Sequence, residues 1–221
     1  MFLGHYGLAM GAKRAAPRPS LGLLIGAAQL ADLIWPIFLL AGWERVRIAP
    51  GDTAVTPLAF EHYPWSHSLA MELVWGLALA LVYGAVTRDR RGALVLGALV
   101  PSHWVLDLVA HRPDLPLYPG GAARYGLGLW NSVAGTLVVE IALFAAGAWL
   151  YARATRPRDG VGRWGLVGLL ALLAAIYAGN LLGPPPPDAR TVAWGAMAGW
   201  LAPLLGWWVD RHREPLARAA A

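Results

Sequence analysis

His103, Asp107 and His111 follow one another at steps of four, so a helix that carries them sets two imidazoles and a carboxylate along one face. Such a face can hold a divalent cation, or it can be an ordinary surface ion pair. The neighbours decide between these readings: Trp104, Val105, Leu106, Leu108, Val109 and Ala110 are apolar and belong to a run long enough to cross a bilayer. An ionisable group inside such a run costs about 2.5 to 3.5 kcal/mol and by default marks function. Asp32, Glu72 and Glu140 stand in equally apolar surroundings, and His67 opens another such run within Glu61-His62-Tyr63-Pro64-Trp65-Ser66-His67-Ser68. There Ser66 is the expected helix cap and His67 falls in the first turn, whereas His62 precedes the helix and is the weaker candidate.

The chain contains no cysteine, which excludes thiolate ligands and thiol chemistry. Imidazoles and carboxylates alone suit zinc or a similar divalent ion, one or two per chain. The chemistry that follows is activation of water and stabilisation of charge on a carbonyl or phosphoryl oxygen. Glu72 is the candidate proton acceptor or donor beside the metal. Neither His-Glu-x-x-His nor Gly-x-Ser-x-Gly occurs in the sequence, so a zinc protease or a serine hydrolase lacks its parts.

The elements that must position these groups follow from composition. Of 221 residues, 57% are hydrophobic and 14% charged, with a mean hydropathy of +0.49. These values exclude a soluble globular, disordered or disulfide-stapled chain. Six apolar stretches, each long enough to cross a hydrocarbon core of about 30 Å, run over 21–42, 66–87, 92–111, 131–152, 164–183 and 191–210. Breakers such as Arg88-Asp89-Arg90-Arg91 and Gly183-Pro184-Pro185-Pro186-Pro187 separate them. The expectation is an all-α integral membrane bundle of about six transmembrane helices in one polytopic domain, 1–221. Residues 1–12 are apolar but too short to span, and basic residues follow them where a signal peptide's would precede. A short N-terminal half-helix dipping into the bundle is expected there. Gly22-x-x-x-Gly26 and Gly195-x-x-x-Gly199 read as seams where helices approach closely, and Tyr177 and Asn180 as interhelical hydrogen bonds.

The net charge of +5 resolves into topology. Of the 18 Lys and Arg residues, 13 fall in one set of alternate loops and 5 in the other, which puts both termini in the cytoplasm and removes nucleic acid as a partner. Trp43, Trp65 and Trp130 on the outer side and Trp164, Trp207 and Trp208 on the inner side match aromatic belts. At about 1.5 Å per residue from the cytoplasmic arginines, Asp32, His103 and Glu140 fall near the midplane, Asp107 and Glu72 further out, and His67 and His111 at the outer rim. His5 would reach the lower edge of this layer. A polar well opening outward is expected, with Arg112 and Arg124 beside it as a phosphate clamp or as ordinary solvated loop residues.

His5, the Gln29-Leu30-Ala31-Asp32 run, His67-Ser68-Leu69 at a helix start, and Ser102-His103-x-x-x-Asp107 with His111-Arg112-Pro113-Asp114 together resemble the predicted membrane-bound metal-dependent hydrolases. This family includes the LexA-regulated inner-membrane hydrolase and is distantly similar to zinc-dependent phospholipase C. The resemblance covers residues 1–140. It implies that His5, Asp32, His67, His103 and Asp107 are metal ligands, with Asp107 bridging two ions. A third ion in the soluble relatives uses a further His and a His-x-x-x-Glu pair; here Thr136 stands four residues before Glu140, leaving His111 and Glu140 as remnants. The implied activity is phosphoester cleavage in a bacterial-type inner membrane, on a membrane lipid or lipid-linked substrate. Three other readings stay open: a lipid amidase, an assembly partner whose polar residues only join helices, and a proton- or cation-coupled transporter or channel relaying through Asp32, Glu72, Asp107 and Glu140. Against transport stands the lack of a visible inverted repeat or of broken helices.

Overall fold

The computed structural model describes residues 1–216; Arg218, one of the basic residues counted above, lies outside the described residues. In chain order the helices are α1 (Leu3–Ala15), α2 (Leu21–Ala28), α3 (Leu30–Leu40), α4 (Pro64–His67), α5 (Leu69–Thr87), α6 (Arg90–Ala110), α7 (Val133–Ala154), α8 (Gly160–Leu182), α9 (Ala189–Met197) and α10 (Leu201–Arg211). The short strands are β1 (Arg45–Ile48), β2 (Leu58–His62), β3 (Leu115–Pro116), β4 (Arg124–Tyr125), β5 (Thr155–Pro157) and β6 (Arg213–Pro215). The chain is an all-α membrane bundle: five helical stretches, with α9 and α10 joined as 189–211, are long and apolar enough to cross a membrane, and the bent pair α2–α3 makes a sixth.

Helix starts are set by small polar side chains that accept from the free N–H groups of the first turn. Ser20, Ser68, Asp89, Ser132, Asp159 and Asp188 cap α2, α5, α6, α7, α8 and α9 respectively. Ser66, the cap expected from sequence, lies instead inside α4, and Ser68 takes that role by accepting from Met71 N at 3.3 Å. The first span is broken: α2 and α3 meet at Gln29 with a bend of 58°. That corrects the expectation of unbroken spans.

Close packing of backbones holds the bundle. α1, at about 1.5 Å per residue too short to span, is inserted against α7 where two glycines meet. A Cβ on Gly147 would sit 1.9 Å from Gly7 O, and one on Gly7 would sit 2.3 Å from Leu143 O. Gly22 brings α2 onto α10, since a Cβ there would come 2.3 Å from Pro203 O, and Gly76 brings α5 onto α6 in the same way, 2.5 Å from Gly97 O. Gly195 and Gly199 behave differently. A Cβ on Gly195 would meet nothing within 4 Å, and one on Gly199 only Leu33 Cδ2 at 3.7 Å, so this pair is not the expected seam.

The antiparallel ribbons finish the helix ends. β1–β2, with Ile48 opposite Leu58, and β3–β4, with Leu115 opposite Tyr125, lie at the end where α3 and α6 stop. β5–β6 closes the other end, Arg156 opposite Glu214. Beside it Lys13 Nζ, only 2% exposed, donates to Pro19 O at 2.9 Å and to Asp210 Oδ2 at 2.7 Å. Tyr151 donates its hydroxyl to the other oxygen of Asp210 at 2.6 Å, so the carboxylate that pairs the buried ammonium is itself held in place.

Because α1 has no room for a methyl group at the Gly7–Gly147 contact, Gly147→Ala should destabilise the detergent-solubilised protein by about 1 to 3 kcal/mol, the usual cost of over-packing. Gly168→Ala, inside α8 where nothing lies within 4 Å, should hold or raise the melting point, since alanine favours a helix interior over glycine. Thermal melts of the two variants check this.

Candidate metal centre

α6 supplies the axis of the site. His103 Nε2 lies 3.3 Å from Asp107 Oδ2, and His111 Nε2 reaches the same oxygen from the other side, also at 3.3 Å. The second oxygen, Oδ1, faces α1: His5 Nε2 stands 3.1 Å away and the Met1 amine donates to it. The His5 ring stacks on His103 with centroids 3.7 Å apart and planes 3° from parallel. Asp32, in the first turn of α3 just past the Gln29 break, points its Oδ1 to His67 Nε2 at 3.3 Å and to His103 Nε2 at 3.8 Å. Two triads result, His5, His103 and Asp107, and Asp32, His67 and His103, each with its ligand atoms within 4.8 Å of one another.

The outer nitrogens of three imidazoles are tied to acceptors. His103 Nδ1 meets Ala28 O at 2.8 Å, a carbonyl at the α2–α3 break. His111 Nδ1 meets Asp114 Oδ1 at 2.9 Å, and that oxygen also accepts from the Tyr63 hydroxyl at 2.7 Å. Burial and the Asp114 charge push the Tyr63 hydroxyl well above its ordinary titration range, so it remains a donor. His67 Nδ1 lies 2.7 Å from Ser66 Oγ. Ser66 gives its own proton to Glu44 Oε2 at 2.6 Å, while Glu44 Oε1 accepts from the Trp65 and Ser66 backbone N–H groups at 2.8 Å each. A carbonyl or carboxylate can only accept, and Ser66 has spent its proton, so each Nδ1 carries the hydrogen. In a neutral ring Nε2 then presents a lone pair.

All three Nε2 atoms therefore face carboxylate oxygens, lone pair against lone pair, which is repulsive without a cation or an added proton between them. Ligands about 2.0 Å from a tetrahedral zinc stand about 3.3 Å apart, and the N···O separations here are 3.1, 3.3 and 3.8 Å. Among the described residues His103 Nε2 also has no hydrogen-bond partner. The donor set fits a divalent metal with its ring nitrogens oriented from behind, as metal-bound imidazoles usually are.

The other expected site residues fall outside the triads. His111 adjoins them through Asp107. Glu140 does not face the imidazoles: its two oxygens accept from Phe2 N at 2.9 and 3.0 Å and from Gly4 N at 3.0 Å, so it caps α1 and meets the positive end of that helix. Glu72 is enclosed between α5 and α6, where Oε2 accepts from Trp104 N at 3.0 Å and Oε1 has no hydrogen-bond partner among the described residues. It holds the backbone beside His103 rather than facing open space. Arg112 is committed to Asp52 Oδ1 at 2.6 Å and Asp114 Oδ2 at 3.2 Å, and Arg124 to the carbonyls of Gly121 and Ala123. Neither is a free clamp.

The expected outward well is roofed. Trp130 and Phe60 pack on His111 with ring centroids at 4.2 and 5.0 Å. The open side lies elsewhere: of the triad residues, Asp32 alone has an accessible side chain, 39% exposed against at most 3% for the rest. It borders a cavity of about 630 Å³ walled by α3, α8, α9 and α10 and, toward the outer ribbons, by residues 55–58, Phe60 and Trp130. Sequence reasoning missed Glu44, because no periodicity links it to Ser66 across 22 residues; its one signal is an acidic residue beside the aromatic belt at Trp43. No family model matches the chain, and no curated protein or solved structure matches it.

If Glu140 serves as the α1 cap, Glu140→Gln, which keeps one acceptor oxygen, should preserve the protection of the α1 amides, while Glu140→Ala loosens them by about 0.5 to 2 kcal/mol. Amide hydrogen exchange over residues 3–9 reads the difference.

Proposed function

We propose that this chain is a membrane-embedded metal-dependent hydrolase that cleaves a phosphoester of a lipid or lipid-linked substrate. One observation carries the reading: His67, His103 and His111 have their Nδ1 atoms fixed from behind and their Nε2 atoms turned onto Asp32 and Asp107. His5, His67, His103, Asp32 and Asp107 would hold one or two ions, zinc above all, since imidazole and carboxylate together are the donors of hydrolytic zinc sites. When bound, such an ion supplies Lewis acidity toward a phosphoryl oxygen and lowers the pKa of water.

The chain's own groups do the rest. Asp107 lies between His5, His103 and His111 and keeps both oxygens in the cluster. Asp32, open to the cavity, is the group that meets a substrate entering there. Glu72 is a positioning residue, acting through the Trp104 backbone next to His103. Ser66 and Glu44 fix the His67 ring and exclude its other tautomer. The aromatic roof over His111 keeps water from entering by that route. The surrounding apolar helices favour a lipid-borne substrate, and the distribution of basic loop residues favours an inner membrane with cytoplasmic termini.

The test is metal content by mass spectrometry of detergent-purified protein, with activity on phosphoester lipids before and after chelation. Wild type should carry zinc-like ions that His103→Ala/Asp107→Ala loses while remaining monodisperse, and chelation should abolish turnover. Ser66→Ala should weaken metal binding about 10- to 100-fold through His67, the usual effect of removing an orienting partner. Full activity in chelator would sink the reading. No metal in any sample, together with pH-dependent ion flux in liposomes, would turn it toward coupled transport, which a broken α2–α3 beside a polar cluster also suits.

A further inference from the structure

The cavity beside Asp32 is walled on one side by α8, α9 and α10, which lie outside the span of the family resemblance, and on the other by residues of the first 140, Asp32 among them. Its volume, about 630 Å³, is in the range of sites that enclose a whole ligand. Its lining changes along its length. Gln29, Asp32, Glu140, Asn180, Thr56 and Thr191 contribute polar groups, and aromatic rings stand among them; most of the remainder is leucines, prolines and small residues. Along α8 that wall runs from Leu169 to Leu181, or roughly 18 Å at 1.5 Å per residue. One leaflet of a bilayer core is about 15 Å deep.

Two further observations point to an occupant. Gly7, Gly22, Gly76 and Gly147 are spent on helix contact, whereas Gly179 and Gly195 line the cavity with nothing within 4 Å of an added Cβ. They leave a void in a medium where helices are held together by van der Waals packing. Tyr177 and Trp35 also line it, 7% and 6% exposed, and the Tyr177 hydroxyl and Trp35 Nε1 have no hydrogen-bond partner among the described residues. Buried donors are rarely left so.

We infer that this chamber is a binding site for a single long hydrocarbon chain, acyl or prenyl, whose polar linkage lies at Asp32 and takes its hydrogen bonds from Tyr177 and Trp35. The placement of the linkage rests on the hydrolase reading; the chain site itself rests on the cavity. Lipid tails are as apolar as the chamber wall, so no hydrophobic gain draws a chain in from the bilayer. Selection falls to shape and to the two donors.

The test uses full-length protein in lipid nanodiscs and two photoreactive probes, hexadecyl phosphate and a prenyl phosphate of similar length, each with a diazirine at the chain end. Crosslinks should map to 169–181 and 192–205, and the more efficient probe identifies the chain type. Gly195→Leu and, from the opposite wall, Gly179→Leu should each cut this labelling about tenfold by occupying the space, with metal content and melting point kept. Tyr177→Phe should lower it several-fold without filling anything. Labelling should persist after metal removal. Crosslinks scattered over lipid-facing residues such as Leu77 and Val82, unchanged by both leucine variants, would overturn the chamber even if phosphoesters are hydrolysed. Chamber labelling without any hydrolysis by metal-loaded protein would leave the chain site standing and remove the phosphoesterase.

Discussion

The cost of keeping imidazoles and carboxylates away from water shapes the middle of this bundle. Most ring nitrogens and carboxylate oxygens there find a partner inside the protein, and the local irregularities serve that need; among the described residues His5 Nδ1, His103 Nε2 and Glu72 Oε1 are exceptions. The bend at Gln29 places the Ala28 carbonyl within reach of His103 and turns Asp32 toward His67. The short α4 lets Ser66 stand between Glu44 and His67 instead of capping α5. The insertion of α1 brings His5 onto Asp107, and its exposed N-terminal amides are answered by Glu140. Regular helices alone would have left several of these groups orphaned.

The broad plan is readable from the chain because lipid imposes few rules. Apolar runs of the required length, separated by Ser, Asp, Gly and Pro, give the spans, and the structure reproduces them within a few residues. The i, i+4 spacing of His103, Asp107 and His111 puts them on one face of a single element, so local geometry suffices. The short reach of residues 1–12 likewise calls for an inserted helix, and α1 is one.

What the chain conceals is partnership across elements. Depth along a helix gives the level of Glu140 and Glu72 but not their partners: both oxygens of Glu140 and one of Glu72 accept from backbone amides. The Gln29 break has no glycine or proline to announce it; its reason is a contact with α6. Small residues at Gly22 and at Gly195 have the same signature, yet one meets a carbonyl of α10 and the other faces a void. A glycine allows approach without saying what approaches.

The buried pair between Lys13 and Asp210 joins α1 to α10, 197 residues apart. Synthesis runs from the N-terminus, so α1 leaves the ribosome long before its counter-charge exists. Until α10 enters the membrane, Lys13 is either uncompensated in the bundle or held at the surface, and the first course is the more costly one. His5 travels on the same helix. The charge on α1 is therefore matched only once α10 is in place, which ties the helix that carries His5 to a span about as far along the chain as the described residues reach.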